Sequence, residues 1–204
     1  LYKRGIPVEI AAKLMDSNNK PNIVLILVDD MGYSDLPKFG KSEIPTPNID
    51  RLADEGTLFS NAYVTAPVCV VSRMGLLTGQ YQQRFGIYDN IYGEDKARLF
   101  LDQTLLPAVF QKAGYRTALV GKWHLNPKEE RSAAGPFTDW PLQRGFNRYY
   151  GFLGGATDQF YPDLTEDNHH INPPKTPEQG YHLNEGLIDH SIDFIRNNKS
   201  IYPS

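Results

Sequence analysis

Hydrophobic and polar positions form alternating blocks along the chain, and these blocks predict strands that alternate with helices. Residues 23–28 are continuously apolar and rich in β-branched side chains, which is typical of a buried parallel strand. A helix is predicted next, because Thr46 and Pro47 form a start signal and Gly56 an end signal. The first sixty residues therefore already indicate an α/β arrangement.

The same alternation recurs twice. Residues 58–64 are half apolar and predict a second strand, and residues 74–77 predict a short helix that ends at Gly79. A further helix starts at Asp102 or Thr104 and stops at Gly114. It leads into a third predicted strand over residues 116–120. Strands and helices in this order imply a parallel sheet between helical layers.

The second half of the chain is less regular. From residue 125 to about 180 the sequence is loop-like, with frequent prolines and aromatics, and a final amphipathic helix is predicted over residues 183–195. A loop region of this length is more often functional than idle, so residues 125–180 suggest a substrate-facing insertion. We therefore divide the chain into an N-terminal extension, residues 1–20, and the N-terminal part of a larger domain, residues 21–204.

Composition narrows the function classes. The 204 residues carry a formal charge of -3 and contain no long block of like charge, so we expect neither a nucleic-acid partner nor an anionic membrane surface. No run of apolar residues approaches the ~20 needed to span a bilayer. The first residues lack the pattern of a signal peptide. The single cysteine, Cys69, excludes an internal disulfide.

Candidate chemistry follows the apolar blocks. Ligands of open parallel sheets collect beyond the carboxyl ends of the strands, so polar residues placed there are the first to consider. Three groups meet this condition. They are Asp29 with Asp30, Cys69 through Arg73, and Lys122 with His124.

The first and third groups are each ambiguous alone. Adjacent Asp29 and Asp30 carboxylates repel unless a cation lies between them, and their oxygens suit Ca²⁺ or Mg²⁺. A solvated turn with helix-capping carboxylates is the alternative. Lys122 and His124 lie two apart on an extended segment, so both can face one side as an anion clamp while Trp123 packs on the other. Two exposed polar residues at a strand end are the alternative.

The cysteine group is more informative. A lone cysteine is commonly a small buried apolar side chain. Cys69, however, stands at a predicted loop-to-helix junction, where helix N-termini favour anions, and Arg73 follows four residues later. A cysteine phosphatase would place a glycine-rich phosphate loop between them, and Val70 with Val71 cannot form one.

This segment resembles the signature of the sulfatase family, Cys-X-Pro-Ser-Arg-X-X-Leu-Leu-Thr-Gly, over residues 69–79. The resemblance continues through further blocks in the family's order and covers most of residues 21–153. These blocks are residues 21–24, 29–33, 46–53, 121–125, 144–146 and 150–152.

The resemblance implies the fold and the site. The fold would be an alkaline-phosphatase-like α/β sandwich with a mostly parallel central sheet flanked by helices, incomplete at the C-terminus. Cys69 would be converted to formylglycine by a maturation enzyme. One Ca²⁺ would be held by Asp29, Asp30 and residue 69. The catalytic residues would be residue 69 together with Arg73, Lys122 and His124. The family's proline or alanine is Val71 here, which bears on the maturation system used.

The resemblance also implies a mechanism. Hydrated formylglycine attacks sulfur in line with the departing alcohol, and its second hydroxyl then expels sulfate. The family's leaving-group acid, a second lysine and further metal ligands are expected beyond Ser204. A periplasmic or secreted location is expected as well.

The substrate class stays open at this point, because two hints disagree. Residues 151–164 resemble bacterial arylsulfatases, whereas residues 81–86 resemble carbohydrate sulfatases. Aryl or polysaccharide sulfate esters are therefore both expected substrates. Two other functions also remain. One is a formylglycine-dependent phosphodiester or phosphonate ester hydrolase, and the other is a catalytically silent protein that binds sulfated glycans.

Overall fold

The computed structural model describes residues 20–40, 42–89 and 103–201. The chain divides after Thr57 into two compact units, which are described separately. Most of the predicted N-terminal extension, residues 1–19, lies outside the described residues. Among the residues that are described, no helix combines the length and the apolar character needed to cross a bilayer.

The first unit contains the helix α1, Pro47–Glu55, and a 3₁₀ turn, Tyr33–Asp35. Thr46 is the N-cap of α1 and Pro47 its first residue, while the N–H of Gly56 donates to the backbone oxygen of Leu52 at 2.9 Å. These local signals predicted both ends of the helix, and the structure confirms them.

The apolar run in the first unit does not form the predicted strand. Residues 23–28 form neither a strand nor a helix, and they are between 42% exposed, at Leu27, and 74% exposed, at Ile26. A buried strand needs hydrogen-bonding partners on its edges and side chains on both faces. Within the described residues this run has neither, so apolar composition alone did not determine its structure.

The second unit contains the helices α2, Cys69–Thr78, α3, Leu106–Lys112, and α4, Leu183–Ile201. All three were predicted, but α2 begins five residues earlier and α4 ends six residues later than expected. Leu105, not Thr104, is the N-cap of α3, and Asp102 lies outside the described residues. The predicted strand over residues 58–64 is wrong, because that segment is irregular.

One sheet of four strands forms in the second unit. In spatial and chain order its strands are β1, Ala118–Lys122, β2, Arg148–Phe152, β3, Leu164–Glu166, and β4, His169–Ile171. The pair β1 and β2 is parallel, with Lys122 opposite Phe152, and the other two pairs are antiparallel. The expectation of a mostly parallel sheet is therefore wrong for the described strands. Three of these strands lie inside the region predicted as loop.

Two hydrophobic clusters pack around β2 and fix the layers of the second unit. Tyr149 belongs to the first cluster with Val70, Val71 and Met74 of α2. Its neighbour Tyr150 belongs to the second cluster. Successive strand residues point to opposite faces, so β2 is covered by α2 on one side and by the α4 region on the other. This second cluster contains Tyr150, Phe152, Leu164, Tyr181 and Leu183.

Candidate active site

Cys69 is the first residue of α2. Val68 precedes it in an extended conformation as the N-cap, and the N–H of Ser72 donates to the Val68 oxygen at 3.0 Å. Cys69 itself is partly buried, whereas Val70 and Val71 are fully buried in the core. These two valines fix the first turn of the helix. Residue 69 is thereby held where N–H groups lacking intrahelical partners and the helix dipole favour an anion.

Arg73 links α2 to the carboxyl end of β1. One helical turn after Cys69, its Nη1 donates to the backbone oxygen of Lys122 at 2.8 Å. The Tyr149 hydroxyl donates to the neighbouring Gly121 oxygen at 3.3 Å. Burial raises the pKa of Tyr149 well above its usual value, and the positive charge of Arg73 opposes that rise. Tyr149 is thus a neutral hydrogen-bond donor that braces the strand end.

Lys122 ends β1, and the next two residues continue along β2. The N–H groups of Trp123 and His124 donate to the Phe152 and Leu153 oxygens at 3.0 and 3.1 Å. The Trp123 ring is buried, and its Nε1 donates to the backbone oxygen of Asp139 at 2.7 Å. Lys122 and His124, which flank it in the sequence, are partly buried.

His124 departs from the extended backbone that the sequence suggested. Its φ is 59°, in the left-handed region that residues other than glycine rarely adopt. Such a backbone costs free energy and persists only where the surroundings impose it. Here the backbone hydrogen bond to Leu153 imposes it. The side chain of His124 is therefore placed by a specific turn after the strand.

Gly155 is a residue of this site that sequence reasoning missed. A Cβ added to it would lie 2.5 Å from Nε2 of His124, so the backbone and the imidazole are in direct contact. At the preceding Gly154, a Cβ would lie 3.4 Å from Nη1 of Arg131. Glycine carries no chemical group to attract notice. The adjacent pair in a loop-like stretch was the one signal available.

Arg131 adds a positive charge beside the same glycines. Its Nη2 donates to the backbone oxygen of Asn126 at 3.1 Å. Burial lowers the pKa of Arg131 from its ordinary value, and the nearby charge of Glu129 opposes that shift. An arginine remains charged despite such a shift, so Arg131 provides a partly desolvated cation.

The acidic pair lies in the first unit. Asp29 and Asp30 are exposed, and Asp30 has a φ of 55°. Their carboxylate oxygens fit the ligand chemistry of Ca²⁺, which takes six to eight oxygens. Among the described residues, no group of three or more His, Cys, Asp or Glu side chains is gathered as a metal site. The pair can therefore supply part of a calcium shell.

Comparison with known proteins places most of this chain in one family. The family model described as Sulfatase matches residues 21–201. The arylsulfatase of Klebsiella aerogenes is 38% identical over 148 residues, which cover 69% of this chain and 30% of that protein. The chain thus spans about a third of the length of this relative.

Solved structures are similar as well. The crystal structure of Ps i-CgsB has a TM-score of 0.76 and 30% identity, covering 89% of this chain and 42% of that one. The structure of BT4656 with its substrate D-glucosamine-2-N,6-O-disulfate has a TM-score of 0.67 and 32% identity, covering 87% of this chain and 31% of that one.

Proposed function

The chain belongs to the sulfatase family, and from that premise we propose that the protein hydrolyses aryl or carbohydrate sulfate esters through a nucleophile derived from Cys69. The observation that carries this proposal is the bond from Arg73 to the Lys122 oxygen. This bond joins the helix that begins at Cys69 to the strand end that bears Lys122 and His124. A thiol position, three cationic or proton-carrying side chains and a helix N-terminus thus belong to one anchored unit.

Each side chain has a distinct role in this proposal. Lys122 provides a point charge for the sulfate oxygens, which carry negative charge throughout the reaction. His124 offers Nε2 as a hydrogen-bond donor or proton carrier beside the same oxygens. Arg73 holds the first two turns of α2 against β1, and its charge favours an anionic oxygen at residue 69.

Two groups beyond the unmodified side chains belong to the proposal. Formylglycine at position 69, together with a calcium ion held by Asp29, Asp30 and residue 69, would supply an activated oxygen nucleophile for attack on sulfur. Carboxylates at positions 29 and 30 fit such an ion by their chemistry, and other residues of the protein must complete its shell.

The wider setting follows from the same family membership. We propose the alkaline-phosphatase-like sandwich as the fold of the catalytic domain to which residues 21–204 belong. The region over residues 125–180 faces substrate, since Gly155 touches His124. A formylglycine-generating enzyme is the expected maturation partner, and a periplasmic or secreted location is part of the proposal. BT4656, whose bound substrate is a sulfated glucosamine, supports sulfated sugars as the substrate class.

The test combines a mass measurement with a substrate comparison. The protein is produced with a maturation enzyme, the tryptic peptide ending at Arg73 is weighed, and turnover of 4-nitrophenyl sulfate is compared with that of bis(4-nitrophenyl) phosphate. We expect formylglycine at residue 69 and preferential cleavage of the sulfate. Cys69→Ala should lower kcat by about 10³-fold or more, because the nucleophile is lost while the buried valines keep the helix in place.

The contrary outcomes are specific. An active preparation in which residue 69 is only an alkylatable thiol would refute the formylglycine mechanism. Preferential cleavage of the phosphate diester would instead identify a phosphodiester or phosphonate ester hydrolase. Binding of sulfated glycans without turnover of either ester would identify a silent binding protein.

A further inference from the structure

A short loop leads from the candidate active site to two exposed aromatic rings. It begins at Gly155, whose backbone touches Nε2 of His124, and it reaches Phe160 and Tyr161 five and six residues later. Six residues span at most about 22 Å even when fully extended. The backbone of both aromatic residues therefore lies within that distance of the glycine that touches His124.

Hydrogen bonds constrain the backbone of the loop. Oδ1 of Asp158 accepts from the N–H of Phe160 at 2.7 Å and from the N–H of Tyr161 at 2.8 Å. The same bonds hold the pKa of Asp158 below its usual value, the Tyr161 bond more than the Phe160 bond. The loop is closed on itself by Asp163, whose N–H donates to Oγ1 of Thr157 at 2.8 Å.

The loop is also anchored to the body of the second unit. The N–H of Leu183, the first residue of α4, donates to the backbone oxygen of Gln159 at 2.8 Å. The planes of the His182 and Phe160 rings are perpendicular, at 90°, and the ring centroids lie 5.2 Å apart. The backbone beneath both aromatic residues is therefore fixed to a buried helix start before any ligand arrives, which lowers the entropy cost of binding.

Both rings are exposed to solvent, although burial of an aromatic side chain is energetically favourable. Phe160 is 49% exposed and Tyr161 is 66% exposed. Adjacent large aromatics on a fixed loop beside a polar site form an apolar surface of the kind that binds ligands. The Tyr161 hydroxyl bonds the Glu178 carboxylate, so the ring face and this polar pair lie side by side, which suits a partner that has both apolar and polar faces.

The charges along this loop are mixed: Arg131 lies at its start, whereas the carboxylates of Asp158 and Asp163 belong to the loop and Glu178 bonds Tyr161. Arg131 lies against Gly154 at the start of the loop, and no described carboxylate pairs with it within 4.0 Å. Its guanidinium, which donates to the backbone oxygen of Asn126, attracts a sulfate group at the start of the loop, and the carboxylates nearer the rings suit sugar hydroxyl groups. An uncharged aryl ring would make no use of it.

We infer that Phe160 and Tyr161 form a sugar-binding platform, and that the substrate is a sulfated oligosaccharide or polysaccharide longer than one ring. This inference rests on the proposed sulfate ester hydrolysis. The sugar that bears the reacting sulfate lies at His124, and the next sugar packs its C–H face on the platform. Aryl sulfates reach the first position only, so they are turned over without using the aromatic loop.

The test uses one double variant and two kinds of substrate. Phe160→Ala with Tyr161→Ala removes both rings and keeps Asp158. Rates are measured for 4-nitrophenyl sulfate and for sulfated mono- and tetrasaccharides of hexosamine and of galactose. We expect kcat/KM for the preferred tetrasaccharide to fall about tenfold, from the loss of two aromatic contacts, while that for 4-nitrophenyl sulfate stays within about twofold. Equal effects on both substrates, or no effect on either, would overturn the platform.

Tyr81 provides a matched control. It is also 66% exposed and follows the far end of α2 from Cys69. Tyr81→Ala should leave the preference for tetrasaccharide over aryl sulfate unchanged. An equal loss of that preference in this control would show that the effect is not specific to the loop.

Direct binding separates this inference from the proposed function. Isothermal titration of the tetrasaccharides into Cys69→Ala protein requires no turnover. The platform predicts measurable binding that weakens about tenfold when both rings are removed. If the wild-type protein cleaves no sulfate ester but this binding pattern holds, the proposed hydrolysis fails and the platform stands. If 4-nitrophenyl sulfate is cleaved but no tetrasaccharide binds through the loop, the platform fails alone.

Discussion

The two groups of residues predicted to form the site differ in how the structure holds them. Cys69, Arg73, Lys122 and His124 of the second unit are anchored by buried valines, a buried tryptophan and the bond from Arg73 to the Lys122 backbone oxygen. Asp29 and Asp30 of the first unit are exposed and follow an apolar run without sheet partners. The nucleophile region is thus stabilised by its own unit, whereas the acidic pair lies on an exposed segment that follows an exposed apolar run.

The two groups therefore differ in what holds their side chains in position. A side chain at a strand end or helix start keeps its position when the element beneath it is packed. Carboxylates on an exposed segment keep theirs only when a ligand or further packing holds them. We therefore expect the second unit to control the rate of the chemical step and the acidic pair to control metal occupancy.

The largest effect is expected at the anchored group. Lys122→Ala and His124→Ala should each lower kcat by about 10²- to 10⁴-fold with smaller changes in KM, because contacts to the sulfate strengthen as charge redistributes in the transition state. Steady-state kinetics with 4-nitrophenyl sulfate measure this. Lys128→Ala and His169→Ala, at exposed positions, are the controls. A change confined to KM would move both residues to the outer binding surface.

The next effect is expected at the acidic pair. Asp29→Asn and Asp30→Asn should lower activity about 10- to 100-fold at limiting calcium and regain part of it in excess calcium, because each change removes one charged ligand oxygen. Asparagine tolerates the left-handed backbone of residue 30, so the substitution alters charge more than fold. Calcium titrations of activity provide the measurement.

Glu43→Gln provides the control for the acidic pair, since Glu43 is an exposed carboxylate of the same unit. It should leave the calcium dependence unchanged. If Asp29→Asn and Asp30→Asn behave like Glu43→Gln, the pair is a solvated turn, and the contrast between the two groups disappears.

The smallest effect is expected at a residue that only touches the site. Gly155→Ala should lower kcat about tenfold, because the new methyl group would displace His124 by a fraction of an ångström or more. Gly154→Ala is the matched control, since a Cβ there meets its nearest neighbours at 3.3 and 3.4 Å. Thermal unfolding of both variants separates displacement from destabilisation. Similar kcat values for the two would mean that His124 yields without cost.

Sequence reasoning succeeded where local signals determine structure. Thr46, Pro47 and Gly56 defined α1 to the residue, and the position of Cys69 at a helix start was correct. The extent of α2 was underestimated, because β-branched Val70 and Val71 disfavour a helix locally. Burial of both side chains in the core overrides that preference.

The failures share a different cause, which is dependence on distant partners. Residues 23–28 are apolar enough for a strand, but strand formation requires a neighbour that the sequence does not identify. Strand β2 was missed because it lies among turn signals, and its register against β1 becomes visible only in the structure. Gly155 and Arg131 were missed because proximity to His124 and to the loop is a tertiary property.

The burial of Val71 also limits the time during which a modifying enzyme can reach residues 69–73. Val70 and Val71 are sealed in the core as soon as α2 packs, so an enzyme that reads this stretch must reach the chain before folding finishes. Helices form within about a microsecond, while domains of mixed topology take milliseconds or longer to pack. Under the proposed modification of residue 69, the yield of modified protein therefore depends on the rate of modification relative to the rate of folding. Slower folding, at lower temperature or with a destabilised core, should raise the modified fraction even as it lowers the stability of the product.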